Sequence, residues 1–177
     1  VLLALNRNKK SLTVIPMKSQ GREIVENLVK TADIVIANLP QPTLEAMGID
    51  YDSLRAIKPD IILTTVTAYG NGGPYSERVG FDGVAHALAG ATYMGGRPGD
   101  PMKSFVPFAD FGTATMSAFG TLSALIERNK TGNGQLVEAA LTRTVMAFNI
   151  ALLAEEAIKS IDRPSYCLLY TSDAADE

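Results

Sequence analysis

In the segment VPFADFGTATM, Asp110 stands directly after an apolar run and directly before a long helical pattern. An aspartate at a helix start has two roles open to it. As an N-cap, its carboxylate would accept hydrogen bonds from the amides of Gly112 or Thr113, a contribution of about 1 kcal/mol. As a nucleophile, it would be kept ionised by those amides and by the positive helix end, and aimed at a substrate carbonyl. Gly112 and the small residues Thr113, Ala114 and Thr115 leave room for a ligand to approach. The spacing permits both roles and demands neither.

The remaining chemistry-bearing residues have blander readings. The single histidine, His86, lies in AHALAG and is read as a core residue on a helix, with no sign of the partner a catalytic base needs. A serine-nucleophile elbow G-x-S-x-G is absent. The cluster Gly70-Asn-Gly-Gly is followed by Pro74-Tyr75 and not by a helical period, so it reads as a strand-exit loop and not as a phosphate cradle. With no His/Cys cluster and no D-x-D-x-D-G loop, no metal site is expected.

The elements that must position these residues follow from apolar spacing. Ile24, Val25, Leu28, Val29 and Ala32 fall on one face of a helix that starts at Ser19 as N-cap and ends near Thr31. Asp33-IVIANL is a short β-branched run stopped by Pro40-Gln-Pro, a buried strand. A short helix over Tyr51–Ile57 and a second buried strand in Asp60-IILTTVTAYG repeat the unit, and LTVI at Leu12–Ile15 reads as an earlier strand. The order β-α-β-α-β predicts parallel strands with right-handed crossovers, an open α/β sheet. Beyond Tyr75 come a helix over Gly83–Gly90, a Gly/Pro-rich turn region at Gly95–Pro101 and a long helix from about Phe111 to Asn129. Arg128 and Lys130 suit the negative end of that helix and Gly132 a left-handed C-cap. A tight turn at Thr131–Gln135 leads to the strand Leu136-VEA, then to a helix from about Leu141 to Ile158.

Composition narrows the classes further. The 177 residues are 46% hydrophobic and 20% charged, enough to bury a core and neither disordered nor fibrous. A net charge of −3 argues against strong attraction to nucleic acid or anionic lipid. The longest uncharged stretch, Phe111 to Ile126, is 16 residues broken by Gly, Thr and Ser, so no membrane span is expected. The ending CLLYTSDAADE, Cys167–Glu177, resembles the translation of a transposase-type sequencing adapter and is read as non-native. It carries the only cysteine, so the remaining stretch offers no disulfide or thiolate, which fits a reducing cytosol. The opening VLLALNRNKK has neither an initiator Met nor a signal-peptide order, and both ends are read as cut.

Five segments in order carry a family resemblance: LNRNKKSLTVIPMKSQGRE, NLPQPTLEAMGIDYDSLRAIKPDII, TAYGNGGPYSERVGFDGVAHALAG, VPFADFGT and IERNKTGNGQLVEAAL. From Leu5 to about Ala154 the chain resembles the family III CoA-transferases of the CaiB/BaiF type, a group that includes formyl-CoA transferase, carnitine CoA-transferase and α-methylacyl-CoA racemase. The resemblance implies an open parallel Rossmann-like sheet flanked by helices, incomplete at both ends. Residues 1–158 would form a fragment of the large CoA-binding α/β domain, 159–166 the start of a linker and 167–177 the adapter-derived tail.

The resemblance also implies coenzyme A transfer between an acyl-CoA thioester and a carboxylic acid, with Asp110 as nucleophile through an aspartyl anhydride and an enzyme-bound thioester. No cofactor would be bound permanently, coenzyme A entering as thioester substrate. Ile15, Pro16, Met17 and Lys18 fall where the family holds the adenine and 3′-phosphate end. Asn38, Leu39 and Pro40 fall along the CoA groove, and Phe81 and Asp82 on an aromatic-acidic pair near the thioester. Core packing is the alternative reading of Leu39 and Phe81. Two departures stand out: Pro40-Gln41-Pro42 replaces Arg-Pro-Gly after the groove pair, and Ala46 replaces a frequently basic contact. The water-excluding glycine-rich loop of the family would lie beyond Glu177, so these residues alone are expected to be inactive. The family further implies a cytoplasmic, interlocked homodimer, with no nucleic-acid or membrane partner. Racemases carry a histidine at the position of Phe81, and His86 is five residues away, so acyl transfer is favoured over racemisation. A CoA-binding or scaffold protein without turnover is the third reading, in which Asp110 is only a cap.

Overall fold

The computed structural model describes residues 2–97 and 99–159. In chain order the elements are α1 (Leu2–Leu5), α2 (Ser19–Thr31), β1 (Ile34–Ala37), α3 (Gln41–Met47), α4 (Tyr51–Ile57), β2 (Ile62–Thr67), α5 (Asp82–Leu88), α6 (Ala91–Met94), β3 (Gly96–Arg97), β4 (Asp100–Pro101), α7 (Phe108–Thr131), β5 (Leu136–Ala140), α8 (Leu141–Phe148) and α9 (Ile150–Lys159). The two β-branched runs pair in parallel, Ile34 with Ile62 through Ala37 with Thr65. β5 joins the other side of β2, also in parallel, from Leu63 with Leu136 to Thr67 with Ala140. Among the described residues this gives a sheet of order β1-β2-β5, with β3 and β4 forming a separate antiparallel ribbon. The chain is thus α/β, a parallel sheet flanked by helices.

Both faces of the sheet are covered, but by different chemistry. On one face Val29 of α2, Leu44 of α3 and Leu54 of α4 close over Ala37 and Leu63, with Leu54 fully buried. On the other lies α7, whose buried stripe is small and hydroxylic: Ala109, Thr113, Ser117, Thr121 and Ala124. Small side chains let the helix approach closely, and their hydroxyls are satisfied. Thr113 and Thr121 donate to the carbonyls of Ala109 and Ser117, one turn back, each at 2.6 Å. Thr121 is also hydrogen-bonded to Thr64 of β2 at 2.6 Å. A second apolar cluster, Ala68, Ala85, Ala89, Ala109, Leu141 and Val145, joins α5, α7 and α8 beyond the carboxyl end of β2.

Four expectations need correction. Leu12–Ile15 forms no strand; Leu12 and Ile15 are exposed, and a β-branched run stays unladdered where no strand edge receives it. Ser19 is the first residue of α2 and not its cap, a place taken by Lys18 without a side-chain bond. The buried line of α2 runs through Gly21 and Val29, with Ile24 46% and Leu28 49% exposed. The helix expected over Leu141–Ile158 is two helices, broken at Asn149, which caps α8 and donates its side-chain amide to the Ala89 carbonyl at 3.2 Å. The expected C-terminus of α7 is found as read, with Gly132 left-handed at φ 74° and Arg128 and Lys130 in the last turn. The expected linker beyond Lys159 and the tail at 167–177 lie outside the described residues.

Candidate active site

A cleft of about 470 Å³ opens at the carboxyl ends of the parallel strands, where an open α/β sheet offers its ligand crevice. One wall is Asn38, Leu39 and Pro40, just past β1; the floor is Val66, Thr67 and Ala68 at the end of β2. The facing wall is the segment from Ser76 to Phe81, including Arg78, and Asp110 with Ala114 brings in the first turns of α7. Of the residues implied as binding or catalytic, the structure brings Asn38, Leu39, Pro40, Phe81 and Asp110 to one cleft.

Each of these side chains is placed by identifiable local structure. Asn38 donates its side-chain amide to the Val66 carbonyl at 3.0 Å, tying the ends of β1 and β2 together. Leu39 both lines the cleft and packs against the first core cluster. Pro40 occupies the N-cap position of α3. Phe81, the residue before α5, is 72% exposed, which removes the core-packing reading for it. The Gly70 loop behaves as a strand exit: Gly70 and Gly72 are left-handed at φ 80° and 76°, Gly70 donates to the Thr67 hydroxyl at 3.0 Å, and no helix starts there. Further along, the Arg78 guanidinium lies over the Tyr75 ring at 4.5 Å and turns to the cleft.

Ile15, Pro16, Met17 and Lys18 do not line the cleft. They form a turn ahead of α2, closed by the Lys18 amide on the Ile15 carbonyl at 3.1 Å, and Ile15 and Met17 are exposed. Gly21 backs directly onto that turn, since a Cβ there would stand 2.0 Å from the Ile15 carbonyl oxygen.

Asp110 itself is placed differently from the N-cap expectation. α7 begins at Phe108, so Asp110 lies inside its first turn. The free amides of that turn are taken from elsewhere: Asp82 Oδ1 accepts from the Ala109 amide at 3.0 Å and from the Asp110 amide at 3.3 Å. Asp82 is 5% exposed and does not line the cleft. Asp110, released from capping, has no hydrogen bond to its carboxylate among the described residues and remains exposed to the cleft. Loss of water around its carboxyl raises its pKa above the ordinary aspartate value, the Asp82 charge adds to this, and Lys103 and His86 oppose it. The first-turn amides that bond a carboxylate thus serve Asp82 and not Asp110, and Asp110 is a more basic carboxylate than usual.

His86 is a buried helix residue, as read, but it has an acidic neighbour that was not expected. It is 1% exposed, stacks on Phe108 with centroids 4.0 Å apart, and has the carboxylate of Asp82 3.3 Å from Nε2. Lys103 Nζ lies 3.3 Å from the other Asp82 oxygen. Both contacts are close, yet neither is aligned as a hydrogen bond, and His86 Nε2 and Asp82 Oδ2 are buried without a bonded partner. The Lys103 contact is an ion pair, and the His86 contact is one only with the ring protonated. The helix was read from Gly83, one residue too late to include Asp82; begun at Asp82, it shows the Asp82–His86 pair as an i, i+4 spacing, whereas Lys103 and Arg78 carried no such local signal.

The cleft thus sets a carboxylate of raised pKa beside apolar side chains at the carboxyl edge of a parallel sheet. The profile of the CoA-transferase family III matches residues 1–165, and the chain belongs to that family. It is 39% identical over 145 residues to an acyl-CoA transferase of Fusarium pseudograminearum, covering 81% of this chain and 32% of that protein. It is 37% identical over 139 residues to the succinate–glutarate CoA-transferase of Agrobacterium fabrum, covering 78% and 35%. A solved CAIB/BAIF family protein from Brucella suis superposes with TM-score 0.84 at 36% identity, covering 90% of this chain and 42% of that one. The chain spans about a third of the length of these curated relatives.

Proposed function

We propose that these residues form the acyl-CoA-handling part of an enzyme that moves coenzyme A from an acyl-CoA thioester to a carboxylic acid. Asp110 is the nucleophile. A carboxylate oxygen attacks the thioester carbonyl, the C–S bond breaks and coenzyme A leaves as thiolate, giving a mixed anhydride. The thiolate then attacks the aspartyl carbonyl, expelling the first acid as carboxylate and leaving an aspartyl thioester. The incoming carboxylate repeats the sequence in reverse: it displaces the thiolate to form a second anhydride, and the thiolate takes the new acyl group, returning Asp110 to its starting form. No net proton, oxidant or metal is required.

The observation that carries this reading is the position of Asp110 on the cleft wall, free of the capping duty that its place at a helix start suggested. Attack by a carboxylate requires an unshared oxygen lone pair, and a more basic carboxylate is a better nucleophile provided it is ionised. The exposed Phe81 and the apolar Leu39 give the pantetheine arm a surface, and the strand-end location suits an extended ligand. Lys18 of the turn ahead of α2 would meet the phosphate end, and Asp82 would act from behind the wall and not by contact with the thioester. Phe81 has no ionisable group to pair with Asp110, which disfavours two-base proton exchange. Relatives named for succinyl-CoA support a dicarboxylic acyl donor, and the family resemblance implies a cytoplasmic homodimer.

Mass spectrometry of the complete polypeptide carrying this sequence, after incubation with succinyl-CoA, tests the reading. A covalent coenzyme A adduct on the peptide holding Asp110, lost in Asp110→Asn, is the expected result. Turnover without any adduct at that peptide, or an adduct at another residue, overturns it.

A further inference from the structure

Behind the cleft wall lies a buried charge cluster that acyl transfer, as written above, leaves unused. His86 keeps a ring nitrogen buried without a hydrogen bond, an arrangement that costs free energy and calls for a reason. Among the described residues, the titratable groups that face it are Asp82 from its own helix, Lys103 from the segment ahead of α7, and Asp110 from the first turn of α7. The ring is fixed by stacking on Phe108, the first residue of the helix that carries Asp110. Asp82 is the hub: one oxygen holds the Ala109 and Asp110 amides, and both oxygens are approached by a positive or protonatable group at 3.3 Å.

We propose that Asp82, His86 and Lys103 form a positioning unit for the nucleophile. Asp82 locks the first turn of α7 and sets a negative charge behind Asp110, while His86 and Lys103 limit how strongly that charge is felt. The proposal rests on the assignment of Asp110 as nucleophile. A carboxylate pushed too little is a poor nucleophile, and one pushed too far holds a proton at working pH; two opposed influences place it between these limits. The Asp82–His86 pair suits that task, because both side chains are buried and such groups are screened far less than surface ones. Lys103, with its side chain 52% exposed, is the adjustable member, and His86, 1% exposed, the fixed one. None of the three needs to touch substrate.

The deciding measurement is a carbon-13 carboxyl NMR titration of Asp110 in the complete polypeptide, read beside the acid limb of kcat. His86→Phe, which keeps a ring against Phe108, and Lys103→Met should each move the Asp110 titration to higher pH. Asp82→Asn should move it lower, and Lys103→Arg should restore the parent curve. Each unit of movement is about a tenfold change in the ionised fraction at a fixed pH on the acid side, and kcat should follow while KM for the acyl-CoA stays put. A purely structural role for the cluster predicts lower stability with an unmoved titration, and that result overturns the proposal. Should Asp82→Asn fail to fold, the exposed Lys103→Met and the shape-preserving His86→Phe decide alone. A parent protein that forms the Asp110 adduct but shows no shift in either variant sinks this inference and leaves acyl transfer standing. A parent without the adduct sinks acyl transfer, and the titration still reports on the cluster.

Discussion

Replacing Asp82 by alanine separates the residue that caps α7 from the residue the sequence suggested for that duty. The substitution removes a charged acceptor from the Ala109 and Asp110 amides, at 3.0 and 3.3 Å. Loss of a helix cap is worth about 1–2 kcal/mol. Ala109 is 0% exposed, so water cannot replace the lost acceptor, and a buried donor without a partner adds about 1 kcal/mol or more. The Lys103 side chain is 52% exposed, so its ion pair contributes only about 0–1 kcal/mol. These contributions overlap, giving an expected loss of about 2–3 kcal/mol for Asp82→Ala. Asp110→Asn, which breaks no hydrogen bond, should stay within about 0.5 kcal/mol of the parent. Urea unfolding followed by circular dichroism near neutral pH measures both. If Asp110→Asn loses as much stability as Asp82→Ala, the cap lies where the sequence put it and the assignment of the two aspartates is wrong.

Asp110 has a raised pKa in the fold, so its contribution to stability is greatest below the ordinary aspartate value and is lost as pH rises through the folded value. Asp110→Asn should remove that decline, and a pH series of urea midpoints with parent and variant falling in parallel across this window would refute it. Asp50 behaves oppositely: burial pushes its pKa up, but hydrogen bonds from the Ser53 hydroxyl and amide outweigh burial and lower it. Its contribution is present above the ordinary value and lost as pH falls through the folded one, so Asp50→Ala should cost about 1 kcal/mol at neutral pH and less in acid. Leu54→Ala, at a fully buried position between α4 and the sheet, should cost about 2–5 kcal/mol by thermal or urea unfolding. Gly21→Ala would drive a methyl group into the Ile15 carbonyl; it should displace the turn carrying Lys18 and raise KM for acyl-CoA more than it lowers kcat, and an unchanged KM argues against that turn as a CoA contact.

Much of the scaffold was legible because its signals are local. The runs at Ile34–Ala37 and Ile62–Thr67, the short helix Tyr51–Ile57 and the Arg128-Lys130-Gly132 exit each carry their cause within a few residues. The helix start at Phe108 was misplaced because its stabilising acceptor, Asp82, lies in a different helix. Only tertiary structure brings such an acceptor to those amides. The break at Asn149 escaped for the same reason, its side chain being held by the distant Ala89 carbonyl. Leu12–Ile15 had the right residues for a strand and no ladder to join. At the site, Asp110, Asn38, Leu39, Pro40 and Phe81 were legible through family resemblance, whereas the basicity of Asp110 depends on a charge and a desolvation that no linear spacing displays.

The 24-residue α7 is about 36 Å long, and it is pinned at both tips. Asp82 holds its amino end. At the other end the Arg128 guanidinium grips Asp33 at 3.0 Å and reaches Asp60 at 3.8 Å, the residues that lead into the first two sheet strands. Asp110 therefore sits in the first turn of a girder fixed at both tips, and the bearing nearer to it, Asp82, directly follows in the chain the wall of the cleft from Ser76 to Phe81. A change of length in that wall would thus pull on the Asp82 anchor and, through it, on the turn that carries Asp110.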